Sequence, residues 1–148
     1  DRGLFNAPIA ASTDGYLYNH ETGQNDGSTN PPSAITSYIQ SSQISIGSGD
    51  DFIFLTKLIP DLTFENSIST APTVDFTLQA RNFPGGAYLQ SDTSGVTQSA
   101  TTPVEQFTEL AWIRLRGRSF AVKVESDTTD TQWRLGTPRV EIRPDGRR

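Results

Sequence analysis

The sequence predicts an all-β domain, an antiparallel β-sandwich or jelly roll with little helix. Three observations predict it. Residues 73–81, 111–116 and 120–125 alternate apolar and polar side chains with a period of two, the pattern of strands that bury one face. No stretch of ten residues carries the 3.6-residue period of an amphipathic helix. Turn-forming Gly, Pro, Asn and Asp clusters recur between the alternating runs and divide the chain into seven or eight short strands. A chain of 148 residues matches one such domain, so residues 1–148 are expected to form a single sandwich.

Taken in order, Asp14-Gly15 and Asp26-Gly27 favour sharp reversals, and Tyr16-Leu17-Tyr18 between them reads as a short aromatic strand. Residues 21–33 hold too little apolar surface to offset the entropy of ordering and read as a polar loop. Residues 34–47 alternate, with Ile35, Ile39, Ile44 and Ile46 among Ser, Thr and Gln, up to the Gly47-Ser48-Gly49-Asp50 turn. Residues 52–59 place apolar groups at both parities, which predicts a strand covered on both faces and ended by Pro60-Asp61. In residues 73–81, Val74, Phe76, Leu78 and Ala80 are expected on one face. Pro84-Gly85-Gly86 turns the chain, and residues 91–103 read as a second polar loop. Next comes an expected hairpin joined near Gly117, with Ala111, Ile113 and Leu115 inward in its first strand. Phe120, Val122 and Val124 are inward in its second. Residues 133–135 and 140–142 form an expected last strand pair.

Composition limits the function classes. The absence of cysteine excludes disulfide stapling, thiol catalysis and cysteine-ligated zinc. No apolar run approaches the roughly 20 residues of a membrane-spanning helix, and no membrane partner is expected. Without methionine, the sequence is expected to be a piece of a longer chain. Net charge is −5, but residues 1–103 carry three Lys/Arg against ten Asp/Glu while residues 104–148 carry nine against seven. The overall acidity argues against nucleic acid, whose affinity comes from neutralised phosphates.

The chemistry-bearing residues are few. The single His20 and the absence of a G-x-S-x-G elbow leave no nucleophilic triad, so no catalytic residue, enzymatic activity or cofactor is expected. Glu21, Asn25 and Asp26, with Gly23 and Gly27, offer hard oxygens loosely like a calcium loop, although their spacing departs from an EF-hand. Tyr16, Tyr18, Tyr88 and Trp112 could stack on a sugar if their rings share an exposed plane; otherwise such rings pack the rim of a sandwich.

The Arg-bearing segments are the most informative. Arg114-Leu115-Arg116-Gly117-Arg118, Trp133-Arg134 and Arg139 through Arg143 supply fixed guanidinium donors. Alternation sets Trp112, Arg114 and Arg116 on one face. Arg114, Arg116, Arg118, Arg134, Arg139 and Arg143 are therefore the candidate subunit-contact residues, to be met either by the chain's own acidic loops or by a neighbour's.

Asp1-Arg2-Gly3-Leu4-Phe5, Pro8-Ile9, Asp14-Gly15-Tyr16-Leu17-Tyr18, His20-Glu21, Gly23 and Asn25-Asp26-Gly27 resemble the start of a carboxy-terminal domain in tailed-bacteriophage virion structural proteins. Trp133-Arg134-Leu135-Gly136-Thr137-Pro138-Arg139 and Arg143-Pro144-Asp145-Gly146-Arg147-Arg148 resemble its close. The resemblance implies a non-enzymatic part of the phage tail, hub or nozzle. It implies copies of the chain in a ring and other virion proteins as partners. A different class of function, a carbohydrate-binding sandwich that adheres to a host glycan, is the alternative.

Overall fold

A computed structural model describes residues 8–83 and 98–147. No helix occurs among the described residues, and the antiparallel, all-β expectation holds. In chain order the strands are β1 (Ile9–Ala11), β2 (Leu17–Asn19), β3 (Asn25–Asp26), β4 (Ser33–Ala34), β5 (Ser37–Gln40), β6 (Ile44–Ser45) and β7 (Ile53–Ile59). They continue as β8 (Leu62–Thr63), β9 (Thr73–Arg81), β10 (Ser99–Glu105), β11 (Ala111–Gly117), β12 (Ser119–Ser126), β13 (Arg134–Leu135) and β14 (Arg139–Pro144).

Two sheets make the body. The larger runs β10-β9-β12-β5, with β6 following β5 along the same edge of β12; the smaller runs β11-β7-β14. Their inner faces meet in one core. Val74, Phe76, Leu78 and Ala80 of β9 are buried in strict alternation, as the sequence predicts, and face Ile53, Leu55 and Leu58 of β7 and Ile113 and Leu115 of β11. Fully burying a side chain such as Phe76 is worth about 1.5–3 kcal/mol.

Several elements differ from the sequence expectation. Residues 99–103, expected as loop, belong to β10, which pairs with β9 from Ser99↔Gln79 to Glu105↔Thr73. Threonine tolerates the pleated surface, the Thr77 and Thr101 hydroxyls bond across it at 2.9 Å, and an edge position accommodates Pro103, which has no N–H to donate. Residues 21–33 are not wholly loop: β3 and β4 form a two-residue ladder there. The Pro84-Gly85-Gly86 turn and residues 91–97 lie outside the described residues.

Gly117 does not close a hairpin. β11 pairs with β7 and β12 with β9, so the chain changes sheets at Arg118, whose N–H donates to the Arg81 carbonyl at 2.8 Å. The expected last strand pair also separates. β13 pairs with β8, and β14 pairs with β7. Within β7, Leu55 and Leu58 share the core face, because an extra residue, Thr56, lies opposite the Glu141–Ile142 step of β14. Such a bulge re-phases the alternation. Three of the outward groups that follow from it, Phe54, Thr56 and Lys57, are only half covered.

The smaller sheet stops one strand short of the larger. Ile39 lies opposite buried Val124 and Ile44 opposite buried Phe120, so both isoleucines sit on the inner face of their sheet. No strand among the described residues covers them: Ile39 is 53% and Ile44 49% exposed. Between them and β14 opens an apolar groove of about 330 Å³, walled also by Val122, Leu135, Pro138 and Val140.

Candidate functional site

Register places four of the candidate arginines together. On the smaller sheet, Trp112 lies opposite Lys57 and Lys57 opposite Glu141; Arg116 lies opposite Phe54 and Phe54 opposite Arg143. These residues, with Arg114 and Arg139 at the same parity as their strand neighbours, form the outer face of β11-β7-β14. The core side of the same strands is apolar, so the basic groups have only this face to occupy.

The face is held by its own pairs. Lys57 Nζ lies 3.1 Å from Glu141 Oε2 and 5.0 Å from the centroid of the Trp112 ring. Arg143 Nη2 lies 3.1 Å from Glu141 Oε1. Bonds from Lys57 first, and then from Arg143, hold the Glu141 carboxyl below its ordinary pKa. Trp112 nevertheless remains 71% exposed.

Arg116 and Arg118 are turned to internal work. Their guanidinium carbons lie 3.8 and 4.7 Å from the centroid of the Phe52 ring. Arg116 Nε also donates to the Asp145 carboxylate, and Arg118 Nη2 donates to the Arg147 carbonyl at 3.3 Å. Arg147 pairs with Asp51 at 3.2 Å, while the Phe52 N–H donates to the Gly146 carbonyl and the Asp145 N–H to the Phe52 carbonyl. The result is a clasp that fastens residues 145–147 to the start of β7. Arg134 lies away from the face, on β13, in a 3.6 Å exposed pair with Glu65; such pairs contribute about 0–1 kcal/mol. Arg114 and Arg139 are exposed and make no ion pair among the described residues. Thus Arg114 and Arg139 remain available to a neighbour, and the other four are met within the chain.

Phe52, Lys57, Glu141 and Asp145 were absent from the sequence-based set. Lys57 and Glu141 become partners only through the bulged register of β7 and β14, which no local pattern encodes. Phe52 reads from the sequence as a core residue, and it is buried, but beneath two guanidinium groups.

The aromatic candidates are not brought onto one element. Tyr16 is exposed at the β1–β2 turn, and Tyr18 beside it donates its hydroxyl to Asp14 Oδ2 at 2.8 Å. Trp112 lies on β11 with Lys57 over its ring. Tyr88 lies outside the described residues. The calcium candidates are likewise occupied. Asn25 Nδ2 donates to Asp130 Oδ1 at 2.7 Å and Asn25 Oδ1 accepts from the Asp130 N–H at 2.7 Å. Asp26 Oδ1 accepts from the Ser28 N–H at 2.9 Å, and Glu21 stands exposed at a positive φ. Among the described residues no three His, Asp or Glu side chains converge as a metal site would require.

One wide polar trough, walled by residues of the β1–β2 hairpin and of the 25–28 turn, has Asp14, His20, Glu21 and Asp26 on its rim. The Tyr16 N–H and then the Tyr18 hydroxyl hold the Asp14 carboxyl below its ordinary pKa; Ser28 does the same for Asp26. A general acid needs the opposite shift. These two carboxylates act as turn-forming acceptors.

No protein-family model matches the chain, and no curated protein sequence does.

Proposed function

We propose that this chain is a non-enzymatic structural module of a phage virion, in the tail, hub or nozzle region. It packs against copies of itself and other virion proteins through the outer face of β11-β7-β14. The observation that carries this reading is Trp112, 71% exposed on edge strand β11, on the same sheet face as Arg114 and Arg139, which make no ion pair among the described residues. Tryptophan and arginine are enriched among interface hot spots, because each combines a large contact surface with directed donors. The paired Lys57, Glu141 and Arg143 keep that face ordered before contact, which lowers the entropic cost of association. The placement in a virion rests on the resemblance at residues 1–27, 133–139 and 143–148.

Two measurements test it. Multi-angle light scattering of the full chain should show self-associated species that Arg114→Glu combined with Trp112→Ala weakens at least about tenfold, the effect of losing one hot spot. An association constant indifferent to both substitutions would sink the contact face. Mass spectrometry of purified particles from hosts carrying the coding sequence should recover peptides of this chain; particles without them would remove it from the virion.

A further inference from the structure

The outer face of β11-β7-β14 is basic on an acidic chain. It carries Lys57, Arg114, Arg116, Arg139 and Arg143 against a single carboxylate, Glu141, although the whole sequence has a net charge of −5. Internal pairing does not neutralise it. Asp145 meets Arg116, and Lys57 and Arg143 share Glu141, so one positive charge of that triad remains beside those of Arg114 and Arg139. The residues outside the described set bring no net charge to offset this, since Asp1 and Asp92 cancel Arg2 and Arg148.

Register gives the excess a pattern. Trp112, Lys57 and Glu141 form one row across the three strands. Arg114 lies two residues from that row along β11, and Arg139, opposite Ile59, lies two residues from it along β14 on the other side. At about 3.4 Å per residue and 4.8 Å per strand, the two arginines stand roughly 17 Å apart. Trp112 in the row and Ile59 beside it are exposed and supply apolar area on the same face.

A peptide matches this pattern. An extended segment with carboxylates about four to six residues apart spans the gap, and alternation turns an apolar residue between them to the same side. A nucleic-acid backbone fits less well. Glu141 stands between Arg139 and Arg143 along β14. Lys57 and then Arg143 hold its carboxyl below its ordinary pKa, so it stays ionised where a phosphate chain would cross.

We propose that the outer face of β11-β7-β14 receives an acidic segment of a protein partner, with carboxylates on Arg114 and Arg139 and an apolar side chain against Trp112. The proposal rests on the reading of this face as a contact surface and names what that surface takes. Repulsion at Glu141 then discriminates against uniform polyanions.

The two tryptophans make the test direct. Trp112 is exposed, whereas the Trp133 Nε1–H donates to Ser37 Oγ at 2.9 Å and serves as an internal reference. A short synthetic peptide with two aspartates about four residues apart around a leucine is titrated into the full chain, and the indole N–H signals are followed by NMR. The Trp112 signal, identified by its loss in Trp112→Phe, is expected to move while that of Trp133 stays. A twin peptide with asparagine in place of aspartate is expected to bind at least about tenfold more weakly. Arg114→Ser combined with Arg139→Ser should abolish the difference between the twins. Twins that act alike, or an acidic peptide that leaves Trp112 unmoved, would overturn the acidic partner. So would oligothymidylate that moves the Trp112 signal at lower concentration than the peptide, since the face would then serve a polyanion. Self-association lost on Trp112→Ala, with twins that act alike, sinks the acidic partner and keeps the contact face. Self-association indifferent to Trp112→Ala and Arg114→Glu, with twins that differ, keeps the acidic partner and removes the contact between copies.

Discussion

Gly117 shows how a single position decides the path of the chain. Its backbone does not occupy the left-handed region; it requires space. A Cβ there would stand 2.8 Å from the Ala80 Cβ and 3.1 Å from the Arg81 carbonyl oxygen, where the two sheets meet at the crossover. Gly117→Ala is therefore expected to destabilise the fold by about 1–3 kcal/mol through overpacking. A urea midpoint equal to that of the parent would refute the close approach. Asp14 makes a prediction of a different kind. Its folded pKa is depressed, so the hairpin turn gains stability from it above the ordinary carboxylate value of roughly 3.9, and loses it as pH falls through the lowered folded value. The Tyr16 amide proton, bonded to Asp14 Oδ1 at 3.0 Å, should report this titration by NMR. A midpoint at or above the ordinary value would contradict the assignment.

At the scale of the element, alternation was legible wherever one face meets the core. β9, β11 and β12 bury the apolar residues that the sequence singles out, with Val122 only partly covered. Pairing was not legible. A period of two states which face a residue occupies but not which strand lies beside it, so β11 and β12, adjacent in sequence and both amphipathic, read as a hairpin although they belong to different sheets. β10 was hidden for another reason. Ser99, Thr101 and Thr102 carry little apolar signal, and the edge strand they form is held by backbone bonds to β9 rather than by a full apolar stripe. The candidate contact site was half legible: the parity that unites Trp112, Arg114 and Arg116 could be read directly. The arrival of Arg139 and Arg143 on the same face required the pairing of β14 with β7. The Phe52 clasp lay beyond reach because it joins the two ends of a long sequence interval.

At the scale of the molecule, the charge asymmetry of the sequence becomes a division of surfaces. The acidic first part supplies the β1–β2 hairpin and a polar trough, and the basic last part supplies two of the three strands whose outer face carries Arg114, Arg139 and Arg143. A body built this way presents chemically different patches at different places. The position of β7 carries a consequence for biosynthesis. It is the middle strand of its sheet and rich in apolar groups, yet both of its partners, β11 and β14, come from the last part of the chain, after β8, β9 and β10 have been made. A nascent chain on the ribosome must hold this strand unpaired until β11 has emerged, and half-paired until β14 follows, which leaves unprotected β7 exposed to a chaperone or to a misassembled neighbour. A chain terminated before Arg139 should consequently partition into the insoluble fraction on expression, and its recovery as a soluble, folded monomer would show that β7 needs no late partner.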